Sequence, residues 1–372
     1  VTGATILPAG TSAVFVSAAA SVALEVDGVV HRGWHSVTVA HGMERLAAAF
    51  RIELTEARDD GSAPRRIRPG AACALSFEGE PVILGHVDQL GVDYDARTRR
   101  VTVVGRDLTG DLVDCAATTD GPFEWAGLTL PEAADRVCRP FALSVRSDVP
   151  PGAAFPRFAL QPGETGHEAL ERAARQRAVL LMSDRVGHLV LTRAGAGGPA
   201  AGAIVLGANV LQASSSFDHS QRFDRVTVRG QAEGSVEAAQ GIARARDADV
   251  RRHRPKVLLA EAAGDGPSLQ ERADWEVQVA RGKGRRVRYT VPGWRGATGR
   301  LWEPNTLVEV TDAELGLDRA ELLVVEVELS CGADGTKARL ELAPADAYAR
   351  LPEGPGKGGA GGSGRSLWED VK

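Results

Sequence analysis

The chain has 372 residues, room for two to four domains with their own cores at roughly 100–200 residues each. Apolar residues make up 43% and charged residues 25%, the balance of a soluble globular protein rather than a disordered or fibrous one. A net charge of −5 gives no global attraction to nucleic acid, and no apolar run approaches the ~18 residues of a membrane span, so stable membrane insertion is not expected.

The 43 glycines, against 2 methionines and 3 tyrosines, favour a turn-rich β protein. Cys73, Cys115, Cys138 and Cys331 form no CxxC pair, which argues against a zinc ribbon or a thioredoxin-like motif and leaves buried free thiols as the expectation. The Ala-rich start, up to Leu24, has no Lys or Arg before Arg32, so it lacks the basic region of a signal peptide.

In chain order, Val22, Leu24 and Val26 alternate with polar or small residues, and Asp27-Gly28 turns into a strand carrying Trp34, Val37 and Val39. Residues 43–50 fit one or two helical turns before the strand RIELTEA, and Asp59 to Ser62 form a loop. Pro69-Gly70 sets a turn, followed by strands at Ala74–Phe77, Pro81–Leu90 and Arg100–Gly105. The proline-rich stretch 118–160 shows little periodicity beyond a short helix near 131–138. Residues 165–182 are the clearest helix, with a Thr165/Glu168 capping box and Leu170, Ala173, Ala174 and Ala178 on one face. A hairpin follows, VLLM and HLVLTR about a turn at Ser183–Gly187, and then FDRVTVRG at 223–230 alternates as another strand. Residues 231–267 read as polar and irregular. A second capped helix starts at Ser268 with Glu271, turns Leu269, Ala273, Val277 and Ala280 inward, and stops at Gly282 as C′ residue. The segment 354–364 is a Gly-rich linker ending in the tail SLWEDVK.

A strand plan recurs. Arg68-Pro69-Gly70 and Glu303-Pro304-Asn305 are turns whose third residue tolerates left-handed φ. Each leads to a strand (Ala74–Phe77; Leu307–Val310), a second strand (Val82–Val87; Leu322–Leu329) and a last one (Val101–Val104; Ala338–Leu342). Two similar antiparallel β-barrels are the expectation, since closure removes exposed edges.

Several segments also resemble a known family. They are IRPGAACALSFEGEPVILGHVDQLGVDYDA at 67–96, GRDLTGDLVDC at 105–115, GANVLQASSSFDHSQRFDRVTVRGQ at 207–231, VPGW at 291–294, LWEPNTLVEVTD at 301–312 and Gly33-Trp34…Val37. In order along residues 22–350 they look like the Mu-like phage tail protein P, a baseplate hub similar to that of T-even phages. The resemblance implies an α+β, mainly β chain with two tube-type β-barrels and an intervening α/β domain. Mapped here, residues 1–21 are an extension, 22–117 the first barrel, 118–212 the α/β domain, 213–230 plus 298–350 the second barrel, 231–297 an insertion whose helix packs on the α/β domain, and 351–372 a tail.

It further implies a non-enzymatic homotrimer in the virion baseplate, assembled in the host cytoplasm. Partners would be the six-fold tail tube protein, the three-fold central spike protein and other baseplate proteins, with genomic DNA passing through a channel without specific binding. No cofactor is implied. A three-fold body can seat a six-fold ring only if each chain offers two near-equivalent surfaces. The alternatives are a hub-associated cell-wall hydrolase and a carbohydrate-binding tail module.

No catalytic, cofactor or metal residue is assigned. Asp107, Asp111 and Asp114 could suit a hard cation, but lack EF-hand spacing and read better as a strand-end cap and as partners of Arg106. His31 and His35 flank Gly33-Trp34, which argues for strand or turn rather than a helical metal pair. Ser214, Ser215 and Ser216 with His219 lack a nucleophile elbow. The basic clusters Arg251, Arg252, Arg254, Lys256 and Arg281, Lys283, Arg285, Arg286, Arg288 are read as subunit contacts rather than DNA grips. Candidate contacts with subunits or partners are therefore Arg106, Asp107, Arg285, Arg286, Arg288 and Trp368, the last as an aromatic on a tether.

Overall fold

The computed structural model describes residues 22–57, 67–119, 121–230, 241–260 and 269–349. The chain starts in a hairpin, β1 (Val22–Val26) and β2 (Val29–His31), turned by Asp27 and Gly28, both at positive φ. β3 (Ser36–Gly42) and β4 (Ala49–Ala57) follow; residues 43–48 are turn and bend rather than helix. Then come β5 (Ala72–Phe77), β6 (Glu80–Tyr94) and β7 (Thr98–Asp107).

The middle of the chain holds α1 (Gly110–Asp114), β8 (Glu124–Trp125), α2 (Leu130–Cys138), β9 (Val145–Ser147), β10 (Phe158–Ala159), α3 (Gly166–Arg175), β11 (Leu180–Ser183) and β12 (Leu189–Thr192). The capping box of α3 is formed: Glu168 N–H donates to Thr165 Oγ1 at 3.2 Å, and Thr165 N–H to Glu168 Oε2 at 2.8 Å. The helix stops at Arg175, short of the expected 182. Val179 N–H bonds back to the Ala174 carbonyl and Ala178 N–H to Arg175, with Ala178 left-handed at φ 54. This is a Schellman stop with alanine where glycine is usual, so no glycine signalled it.

The last third contains β13 (Ile204–Val205), β14 (Gln212–Phe217), β15 (Arg225–Gly230), β16 (Ile242–Arg246), β17 (Pro255–Ala260), α4 (Leu269–Lys283), β18 (Arg285–Pro292), β19 (Leu307–Asp312), β20 (Leu317–Gly332) and β21 (Gly335–Ala343), then a 3₁₀ turn, Ala345–Tyr348.

Thirteen strands form one sheet, in the order β14-β18-β21-β20-β3-β4-β7-β6-β5-β1-β2, with β19 on β20 and β13 on β19. The two halves of the repeat meet edge to edge, β3 against β20, from Val37↔Cys331 to Gly42↔Glu326. The expectation of two closed barrels is not met among the described residues, where no pairing closes either half. The physical reason lies at β3, which pairs with β4 on one side and β20 on the other and leaves no edge for β2.

One side of this sheet faces a core continuous across both halves, including Val39, Phe50, Ile52, Val103, Tyr289, Trp294, Leu329 and Leu340. A second core, with Leu112, Leu130, Ala134, Leu170, Ala173 and Leu191, belongs to the α/β unit. A smaller cluster including Met43, Met182, Val190, Leu323, Val325 and Tyr348 seals that unit against the sheet.

The segment expected to be irregular supplies strands. β16 pairs antiparallel and β17 parallel with β15 in a separate three-stranded sheet. Strand β15 was expected in the second barrel and β18 in the insertion; in the structure β15 is in the small sheet and β18 in the large one. α4 packs on the small sheet through Ala273 and Val277 against Val226, Val228, Ala243 and Ala245, rather than on the α/β unit. Gly282 lies inside α4 rather than beyond its end, at a point where a Cβ would meet Ala347 at 2.6 Å. Ser268 is outside the described residues, so its half of the capping box is too. Of the four thiols, Cys115 is exposed, contrary to expectation, and the others are buried.

Candidate functional site

Three polar constellations stand out. The first is the junction where the α/β unit meets both halves of the large sheet. Arg185, in the β11–β12 turn, reaches Glu80 at the start of β6 and Glu303 before β19, the latter at 2.7 Å. Arg295 reaches Glu80 at 2.8 Å and Glu78 at 3.1 Å. Asn305, left-handed at φ 61, accepts from Gly195 N–H at 2.7 Å and donates to the Arg193 carbonyl at 3.0 Å. The repeat had marked Asn305 as a turn residue; the turn also ties the second half to the strand end after β12.

Of these groups Glu80, Arg185, Glu303 and Asn305 border a cavity of about 490 Å³ also lined by His41, Asp184, Met182 and Thr192. A glycosidase-type acid needs a carboxyl held above its ordinary pKa. Glu80 is instead held below it, by Arg185 first and Arg295 next. The cluster therefore suits a clamp between units better than proton transfer. Among the described residues, no group of three or more His, Cys, Asp or Glu could hold a metal ion.

His41 is a half-buried titratable group of the lining, and its Nε2 bonds the Ser183 carbonyl at 2.8 Å. Loss of hydration pulls it below its ordinary 6.5, against the opposing pull of Asp107, Glu303 and Asp184. A base with a lowered folded pKa stabilises the fold above its unfolded pKa, and that contribution is lost as pH falls. Stability should therefore decline from about pH 6.5 downward, and His41→Gln should flatten that segment of a urea-midpoint-against-pH curve. An unchanged curve would remove His41 as the cause.

The second constellation is the solvent face of the eight-strand run from β14 to β6. Directly paired residues share a face, so Ser214, Arg288, Glu341, Glu326 and Gly42 form one row, and Thr38, Arg51 and Val104 belong to another. Many of its charges are mutually paired. Arg288 meets Glu341 at 2.7 Å; Arg286 bridges Glu341 and Glu44; Arg339 meets Glu328 at 3.1 Å; Arg51 meets Glu53 at 2.7 Å. Arg106 joins Asp88 at 2.7 Å and Asp114 at 2.6 Å, and holds the Asp114 carboxyl below its usual range. Burial pushes Glu341 up, but Arg288 and Arg286 outweigh it and hold the carboxyl low.

The third is Arg222, buried at the end of the small sheet, just before β15. It meets Asp247 at 2.8 and 3.0 Å, Asp249 at 2.9 Å and His219 at 3.0 Å. Arg281 from α4 also reaches Asp247, at 3.0 Å. No local pattern pointed to Arg222.

The residues singled out in the sequence fall as follows. Asp107 is buried, accepting from Ala48 N–H at 2.8 Å and, as an Asx turn before α1, from Thr109 N–H at 2.9 Å and its hydroxyl at 2.6 Å. Asp111 is exposed, and His31 is buried while His35 is exposed. Ser214 to Ser216 are exposed on β14, and His219 packs on Arg222 rather than on them. Arg285 lies 3.6 Å from Asp249, Lys256 bonds Glu276 at 3.0 Å, and Arg254 N–H bonds Asp224 at 2.5 Å. Arg251 and Arg252 are exposed; Trp368 lies outside the described residues. The second basic cluster is thus largely tied into the chain's own ion pairs, whereas in the first, among the described residues, Lys256 is the member held by a carboxylate side chain.

Three matches to known families run along the chain. Residues 21–107 match "Mu phage baseplate assembly protein GpP-like, N-terminal", 109–193 "Baseplate hub protein gp44-like, second domain", and 267–352 "Mu phage baseplate assembly protein GpP, fourth domain". The chain is 35% identical over 355 residues to the baseplate hub protein gp44 of Escherichia phage Mu, covering 92% of each. Among solved structures it is similar to the 43 kDa tail protein of prophage MuSo2 from Shewanella oneidensis, at TM-score 0.76 and 35% identity, over 90% of this chain and 99% of that one. It shares the fold of the tail protein from Neisseria meningitidis MC58, at TM-score 0.74 and 24% identity, over 89% and 99%. With identity at this level along nearly its whole length, and with the α/β unit clamped between two joined sheet halves, the chain belongs to the family of Mu-like phage baseplate hub proteins.

Proposed function

We propose that three copies of this chain form a ring joining a six-fold tail tube to a three-fold central spike of a contractile tail. One observation carries the reading. Each chain holds two strand quartets, β14-β18-β21-β20 and β3-β4-β7-β6, joined through β20 and β3. The quartets are in place of the two tube-type barrels, and three pairs of them would present six near-equivalent units to a tube.

The outer edges of the run also support assembly. Among the described residues β14 pairs only with β18. β5 covers β6 from Glu80 to His86, so among the described residues Leu90–Tyr94 pairs with β7 alone. Unpaired strand edges are templates for pairing with another chain. Joining the β14 edge of one copy to the distal β6 edge of the next closes a ring whose polar face lines a passage for DNA. In that ring Arg286, Arg288 and Arg106 shape the lining through their ion pairs, and tube, spike and other baseplate proteins meet its rims.

Light scattering should give the mass of three chains. Of the neighbours Ser214 and Ser215, one turns its N–H away from β18; proline there should yield single chains with the strand content retained. A wild-type protein that stays a single chain at micromolar concentration would sink the trimer, and a trimeric proline variant would sink the edge contact.

A further inference from the structure

Among the described residues, nothing covers the outer face of the small sheet. α4 covers one side, where Val226, Val228, Ala243 and Ala245 are buried. The other side carries the alternate residues. By register its rows are Arg246–Arg225–Pro255, Arg244–Thr227–Val257 and Ile242–Arg229–Leu259. Ile242 is 45% exposed, Val257 60% and Leu259 70%. Four arginines stand here with no carboxylate among them, and among the described residues none of the four has an ion-pair partner, unlike Arg286, Arg288 or Arg106. Arginine set among exposed aliphatics is the composition of a protein-binding surface; a phosphate track would have little use for Val257 and Leu259.

The chain itself holds a segment of matching chemistry. The last described residue is Ala349, whose carbonyl accepts from Trp275 Nε1 at 2.6 Å. Trp275 is on α4, the helix that backs this same sheet. Residues 350–365 are Gly-rich, and a Gly-rich chain of that length spans about 22 Å on average. That is enough to round a helix ~10 Å thick and the sheet beneath it. Beyond it lie Trp368, Glu369 and Asp370. An indole matches the aliphatic row, and two adjacent carboxylates match paired guanidiniums.

We propose that the tail segment Ser366–Lys372 docks on the arginine face of its own small sheet, with Trp368 over Val257 and Leu259 and Glu369 and Asp370 among Arg225, Arg244 and Arg246. Tethering supplies a local concentration of order millimolar, so a weak contact suffices. The inference is independent of the trimeric reading, because the test below needs no ring.

A chain ending at residue 353 and the full chain are each titrated with a fluorescein-labelled synthetic peptide of residues 365–372, by anisotropy. The shortened chain should bind it, and the full chain at least about tenfold more weakly, its face being occupied. R225E/R244E in the shortened chain should weaken binding by about tenfold or more, as should added salt. A peptide with W368A, which leaves the protein untouched, should lose binding as well. Absence of peptide binding, equal binding by both chains, or indifference to R225E/R244E and W368A would each overturn the proposal. A labelled DNA duplex that binds where the peptide does not would assign the face to nucleic acid and overturn it too.

Discussion

Gly105→Val should unfold the first half of the large sheet or cost about 3 kcal/mol or more in a urea titration. Gly105 pairs with Phe50 across β4 and β7, and the Phe50 ring lies over it. A Cβ there would sit 2.6 Å from two atoms of that ring and closer still to the His86 carbonyl. The ring is buried in the main core and the carbonyl belongs to β6, so neither can retreat without breaking the β6–β7 ladder. Gly85→Ala meets the Arg106 carbonyl in the same way and should behave alike. Gly91→Ala, on the same strand with its nearest neighbour at 3.6 Å, should be almost neutral and serves as the control. If Gly105→Val melts with the wild type, the β6–β7–β4 packing described above is wrong.

Arg222→Met should cost about 3–5 kcal/mol, the range for removing one member of a buried ion pair. Arg222 and Asp247 are each 2% exposed, so methionine leaves a carboxylate enclosed with only Arg281 to compensate. Burial pushes the Asp247 carboxyl up, yet Arg222 and Arg281 prevail and hold it below its ordinary 3.8. A depressed carboxyl stabilises the fold above its unfolded pKa and loses that contribution as pH falls through the folded value. The wild type should therefore lose this increment below about pH 4, whereas R222M should have lost most of it at neutral pH. R222M/D247L, with no stranded charge, should recover much of the stability in thermal melts. Equal loss in the double variant would mean that the cost is packing rather than charge.

Much of the strand plan was legible because its signals are local. Asp27-Gly28 and Pro69-Gly70 turn hairpins, Thr165 and Glu168 cap a helix, and Asn305 takes the left-handed turn that its place after Pro304 suggested. What stayed hidden depends on distant partners. The β3–β20 seam joins residues nearly three hundred positions apart, and nothing in SVTVAHG says which strand will lie beside it. β16 reads IARAR, in which small alanines form the buried row and carry little hydrophobic signal until Val277 covers them. The basic clusters looked like outward contacts because their counter-charges are remote: Glu44 lies 242 positions from Arg286, and Glu341 lies 53 from Arg288. Arg222 shows the same limit, since its burial is created by a sheet that the sequence did not announce.

The mutual pairing of charges on the eight-strand face has a mechanical consequence. Arg51, Arg106, Arg286, Arg288 and Arg339 already hold carboxylates. A polyanion drawn along such a wall would have to displace an existing partner at every step, so no position is much deeper than the next. Along the proposed passage the potential would then be shallow and even, closer to a lubricated bearing than to a ratchet, and resistance to transit should depend little on nucleotide sequence.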